Sequence, residues 1–164
     1  MLGRSEVVRA YSDVPGRRAV WVDAWSAAGY LVPRAMLRHN GVDPERALAA
    51  QMFVGSYSGV IDALRARTAD IGATFCPLEA AAPALVELPR DDASVSVIDV
   101  SDPIPPDAWC ASSRLQSPLV DELRRLVLDA TEGGAIAAAF GAAAFRPPDP
   151  AAYEMLSAAL DDSP

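Results

Sequence analysis

Arg18-Ala19-Val20-Trp21-Val22 followed by Asp23-Ala24-Trp25-Ser26-Ala27-Ala28-Gly29 is a short β-rich apolar run that breaks into a turn of small residues. Its length and lack of polar alternation predict a strand buried on both faces, as in a parallel sheet. A helix is expected from about Tyr30 to Asn40, with Pro33 tolerated in its first turn. Arg38 and His39 then fall in the last turn, and Gly41 stands just past it. That placement accounts for His39, the single histidine, without a metal or catalytic role.

The same grammar repeats downstream. Asp43-Pro44-Glu45 opens a short helix, and Gln51-Met52-Phe53-Val54 reads as a strand. Gly55-Ser56-Tyr57-Ser58 is a turn, and Val60, Ile61 and Leu64 form the apolar side of a helix reaching Thr68. Ala69 to Phe75 and Val95 to Val100 read as further strands, with an alanine-rich helix after Pro77. The prolines in Ser101-Asp102-Pro103-Ile104-Pro105-Pro106-Asp107 exclude regular structure there, and Ala108 to Ala111 is a candidate short strand. Strands alternating with helices predict an α/β lobe over residues 14–112 with a mainly parallel sheet flanked by helices. A helical tail over 113–164 follows, with helices expected from Pro118 to Thr131, Ala135 to Phe140 and Pro150 to Leu160.

Composition narrows the chemistry. A formal charge of -8 argues against a nucleic-acid backbone as partner, which needs a clustered basic face. All 14 basic residues are arginine, so a phosphate-loop lysine and a Schiff-base lysine are excluded. With one histidine, neither a histidine-based metal cluster nor a Ser–His–Asp triad is supported, and no cofactor is expected. Cys76 and Cys110 read as small buried apolar residues, or as a pair if the chain is exported. The start, Met1 to Glu6, lacks the apolar core of a secretory signal, and no run of 18 apolar residues exists.

In a parallel sheet the strand-to-helix turns gather at one edge, where ligands bind. Two such turns are rich in small and hydroxyl residues: Ser26-Ala27-Ala28-Gly29 and Gly55-Ser56-Tyr57-Ser58-Gly59. Small side chains let an anion approach the free N–H groups of a helix start, and serine hydroxyls add donors. The same residues also serve as ordinary caps and turn formers. Asp23 is expected to hold its turn. Trp25 and Trp109 fit either a pocket lining or a core.

The segment Asp23-x-x-Ser26-x-x-Gly29-Tyr30-Leu31-x-Pro33 resembles the signature turn of the phosphate/phosphite/phosphonate-type solute-binding proteins of ABC transporters. The resemblance continues through Pro15-Gly16-Arg17-Arg18, Gly41-Val42-Asp43-Pro44, Val54-Gly55-Ser56-Tyr57, Ala69-Asp70-Ile71-Gly72-Ala73 and Ile104-Pro105-Pro106-Asp107. It closes with Glu132-Gly133, Phe145 and Tyr153. It implies the second lobe of a type 2 periplasmic-binding fold, most of the first lobe being absent from this chain. It also implies non-catalytic binding of a small oxyanion, an ABC permease as partner if the chain is exported, and an extracytoplasmic location. If Met1 is the true start, a cytoplasmic ligand-sensing or oligomerisation module is the alternative. An enzyme on this fold would have to use Asp23, Asp107 or Cys76.

The ligand residues implied are Ser26, Ala27, Ala28, Gly29, Tyr30, Ser56, Tyr57, Ser58 and Asp107, with no metal. Asp107 would meet an amine in the family's manner, or simply form its turn. The departures are specific. Ala27 and Ala28 stand where the family has Thr and Ser, Tyr57 where it often has His, and Ser58 where an acid is common. Each lost charge-assisted bond is worth about 1.5–3 kcal/mol, so affinity for a simple phosphonate is expected to be weak. Leu119, Leu123, Leu126 and Val127 share one helical face that needs a partner: the lobe itself, a second copy, or another polypeptide.

Overall fold

A computed structural model describes residues 1–76, 93–129, 139, 144–154 and 156–157. The chain divides into two compact units, Met1–Ile104 with Tyr153–Pro164, and Pro105–Ala152. The first is built on a five-stranded sheet of order β3-β2-β4-β1-β5. Its strands are β1 (Leu2–Arg4), β2 (Arg18–Trp21), β3 (Ala50–Phe53), β4 (Ile71–Gly72) and β5 (Val95–Val97). Strand β2 pairs in parallel with β3 and β4, as the apolar run predicts. Its neighbours on both sides and helices on both faces explain why Ala19, Val20 and Trp21 are fully buried.

The sheet is mixed rather than wholly parallel. Strand β1 runs antiparallel between β4 and β5, so the sheet draws on residues before Val14 that pattern alone did not mark. Strands β4 and β5 are also shorter than the apolar runs containing them.

Consecutive residues of β2 point to opposite faces, and this separates two cores. Ala19 and Trp21 pack with Leu37, Val42, Ile71 and Ala73. Val20 and Val22 pack with Val60, Ile61, Ala63 and Leu64. Leu37 lies on α1 (Val32–His39), and the residues of the second group lie on α3 (Tyr57–Arg65). The two helices therefore cover opposite faces. Between them in sequence, α2 (Pro44–Ala47) starts where expected, with Asp43 Oδ1 accepting from the Glu45 amide at 3.0 Å. The C-terminus of α1 is also as read: Asn40 caps it and Gly41 follows.

One corner of the sheet is closed by charge. Asp70, just before β4, accepts from Arg4 Nη1 at 2.8 Å, Arg18 Nε at 3.0 Å and the Arg18 amide at 3.1 Å. All three residues sit at the edge where β2 and β4 begin and the reversed β1 ends. The Arg18 hydrogen bond, against the opposing effect of burial, holds the Asp70 carboxyl down to about 2. Arg34 on α1 is buried as well, donating to Gln51 and Glu45 while its guanidinium lies 4.9 Å from the Tyr30 ring centre.

In the second unit α4 covers Ser117–Leu128, starting a residue earlier than the apolar pattern. Among the described residues its ion pairs join residues of the helix and its cap: Arg124–Asp121, Arg125–Glu122 and Arg125–Asp129. Ala108 to Ala111 is not a strand but exposed irregular chain; two of its four residues are alanine, which pleated strands disfavour, and no described strand pairs with it. Pro150–Tyr153 is a 3₁₀ turn. The expected alanine-rich helix after Pro77 and the helix Ala135 to Phe140 lie outside the described residues, apart from Ala139. Neither cysteine is fully buried: Cys76 is half-buried and Cys110 exposed, both as free thiols.

Candidate functional site

The helices that follow β2 and β3 leave the sheet toward opposite faces, although the strands are adjacent. The connection from β2 runs outward to β3, and the connection from β3 returns across β2 to β4. The carboxyl ends of strands related by such a reversal are the position where open α/β sheets hold ligands. Both serine turns border it. The parallel ladder continues past β3 through the Val54 amide to Trp21 O at 3.0 Å and the Gly55 amide to Val22 O at 2.8 Å. Gly55 then takes φ +77°, a left-handed conformation that costs glycine nothing, and the chain swings into Ser56.

The first turn is wider than an ordinary helix start. Ala27–Leu31 forms a π-helical turn ahead of α1, with the Leu31 amide donating to Ser26 O and the Val32 amide to Ala27 O. Ser26 Oγ accepts from the Gly29 amide at 3.1 Å, and Asp23 Oδ1 accepts from the Trp25 amide at 2.8 Å. Asp23 thus holds the turn, the structural role expected of it. Gly29 is buried against β2: a Cβ there would lie 2.5 Å from Val22 Cγ2. Only glycine lets the turn approach the sheet this closely.

The second turn follows the same plan. Ser56 Oγ accepts from the Gly59 amide at 3.1 Å and lies 3.2 Å from Ser58 Oγ. The turns meet through side chains, with Ser26 Oγ 3.4 Å from the Tyr57 hydroxyl. Among the described residues, the main-chain N–H groups of Ala27, Ala28, Tyr57 and Ser58 take no hydrogen-bond partner. Unpartnered amides at two helix starts, with no acidic side chain within residues 26–30 or 56–59, leave the partial positive charge of these helix N-termini uncompensated by the turns themselves.

Of the residues singled out in the sequence, Ser26, Ala27, Ala28, Gly29, Tyr30, Ser56, Tyr57 and Ser58 belong to these two turns or the helix starts they open. Asp107 is an exposed residue of the other compact unit. Trp25 is 85% exposed and Trp109 53%, so neither is a core residue; Trp21 fills that role, its Nε1 donating to Gln51 Oε1 at 3.0 Å.

The sequence reading missed the aromatic rims. Tyr30 packs edge-on against Phe53 at 5.2 Å between centroids, and Tyr57 against Phe75 at 4.9 Å. Phe53 and Phe75 stay substantially exposed. Phe75 is the last residue of the run read as a strand from Ala69 to Phe75, and that position at the edge where open α/β sheets hold ligands was the available signal.

No curated protein matches this chain. A family model described as "ABC transporter, phosphonate, periplasmic substrate-binding protein" matches residues 3–153. Family members bind a small ligand and deliver it to a transporter permease. The chain belongs to the phosphonate-type periplasmic substrate-binding proteins of ABC transporters.

Proposed function

We propose that the site at the carboxyl ends of β2 and β3 binds a small oxyanion of the phosphonate, phosphate or phosphite kind without transforming it. The chain would act as the binding component of an importer, or as a reduced form of one, outside the cytoplasm. The observation that carries this reading is the convergence of two serine-capped helix starts at a topological reversal, their side chains 3.4 Å apart and four amides unpartnered among the described residues. The anion's oxygens would accept from Ala27, Ala28, Tyr57 and Ser58 N–H, with hydroxyls of Ser26, Ser58 and Tyr57 as further donors. The α/β lobe is a candidate second lobe of the family fold.

Affinity should be modest. The cradle has methyl groups at Ala27 and Ala28 and no basic side chain, so it lacks two hydroxyl donors that would each contribute about 1.5–3 kcal/mol toward a charged oxygen. Titrating ¹⁵N-labelled protein with methylphosphonate, phosphate and phosphite tests this. Saturable shifts concentrated at residues 26–30 and 56–59 are expected; no saturable shift there would reject the oxyanion reading.

A second reading, an interaction module, rests on one observation. Leu119, Leu123 and Leu126 of α4 are 48%, 43% and 47% exposed, a continuous apolar row. Self-association through this row would appear in sedimentation as a concentration-dependent dimer, abolished by Leu123→Glu. A monomer at all concentrations would reject it.

A further inference from the structure

The carboxyl edge of the sheet carries more apolar surface than an inorganic anion needs. Phe75, three residues past β4, is 39% exposed although its ring packs edge-on against Tyr57. Tyr57 in turn brings its hydroxyl to Ser26. Phase by phase along this chain of contacts, Phe75 stands one ring away from the serine that opens the amide cradle. Val54 and Trp25, on the loops entering the two turns, are exposed as well. An uncovered aromatic ring beside a set of convergent polar groups is the usual composition of a site for an amphiphilic small molecule.

We propose that the site selects an oxyanion bearing an aryl-sized apolar substituent, the head group on the free amides and the ring against Tyr57 and Phe75. The proposal rests on the oxyanion reading above and specifies the ligand class for that site. Charge complementarity orients the ligand. The head-group end offers N–H donors and no carboxylate within residues 26–30 or 56–59, and the nearby Asp23 carboxylate is engaged by the Trp25 amide. The other end offers ring faces and edges.

The donor count also fits. With methyls at positions 27 and 28, the cradle supplies few side-chain donors, so a carbon-substituted anion with fewer oxygens to satisfy loses less there than a fully oxygenated one. Ring contact supplies binding that the cradle lacks. The Tyr30–Phe53 pair provides an internal control. Phe53 shares the face of Trp21, the side covered by α1, whereas Tyr57 belongs to the core on the α3 side.

The test is a set of dissociation constants for the full chain, read from amide shifts, with phenylphosphonate, methylphosphonate and neutral benzyl alcohol. Phenylphosphonate is expected to bind at least about ten-fold more tightly than either of the others. Phe75→Ala should bring the two phosphonates to within about three-fold, while Phe53→Ala leaves the preference in place. Should Phe75→Ala unfold, Phe75→Leu removes the ring while keeping apolar volume and is expected to lower the ratio likewise. Equal affinities for the two phosphonates, a preference that survives loss of the Phe75 ring, or one lost in Phe53→Ala instead, would each overturn the aryl proposal and leave the oxyanion reading standing. Absence of saturable shifts with either phosphonate would overturn both.

Discussion

The two edges of the sheet treat polar groups in opposite ways. At the edge where β2 and β4 begin, Asp70 is almost enclosed, and two arginines and a main-chain amide satisfy its oxygens. At the edge where β2 and β3 end, amides of two helix starts are left open and aromatic rings are uncovered. Charge satisfied inside the protein contributes to folding; donors left unsatisfied are available to a ligand. Stability and binding are therefore separable here, and mutations at one edge should leave the other largely untouched.

The largest effect expected from breaking this contrast is at Asp70. Asp70→Asn leaves the Arg4 and Arg18 guanidinium groups facing a neutral amide and should cost about 3–5 kcal/mol in urea unfolding. Oxyanion binding by the folded fraction should not change; a parallel loss of binding would show that the edges are coupled.

Acid provides a milder version of the same test. The folded-state carboxyl of Asp70 is held down to about 2, below its unfolded value. Its contribution, on the order of 2 kcal/mol, is therefore complete above about pH 4 and is lost as pH falls through about 2. Unfolding free energies across that window should show this slope in the native protein and lack its Asp70 component in Asp70→Asn.

Gly29 sharpens the comparison from the other side, since there the candidate binding turn presses on the core. Gly29→Ala places a methyl 2.5 Å from Val22 Cγ2 and 2.8 Å from Ser26 Oγ. It should cost about 1–3 kcal/mol and also weaken oxyanion binding. Combining it with Val22→Ala should be less damaging than the sum of the two single changes, because the added methyl gains space. The smallest effect is at Ser56→Ala, which removes the cap on the Gly59 amide and should cost about 1 kcal/mol by thermal unfolding.

What the sequence could reveal follows the range of the interaction. Arg18 to Val22 is legible as a buried strand, and Ser26, Asp43 and Ser56 as residues that open helices, because each signal is contained in a few neighbouring residues. Leu2–Arg4 is too short to show a period, and its antiparallel pairing with β4 and β5 depends on residues more than 60 positions away. The runs at Ala69 to Phe75 and Val95 to Val100 overstate their strands because apolarity outlasts the pairing. Asp70 within an apolar run was a sign that a cation must lie nearby, but not that Arg4 and Arg18 would supply it. The meeting of Ser26 with Tyr57 is likewise fixed by the β2–β3 register rather than by anything local to either turn.

The π-helical turn at Ala27–Leu31 has a consequence for how this binding loop can change over evolutionary time. A π turn spans one residue more than an α turn, and that extra residue is absorbed locally. Deleting one alanine at position 27 or 28 would rewind the segment to regular α geometry while Pro33, Arg34 and Leu37 kept their seats on the sheet. The loop can thus lose a residue, and with it a donor, without rephasing the helix behind it. Under the proposed function, a single-codon length change here would alter ligand preference while the scaffold stays still.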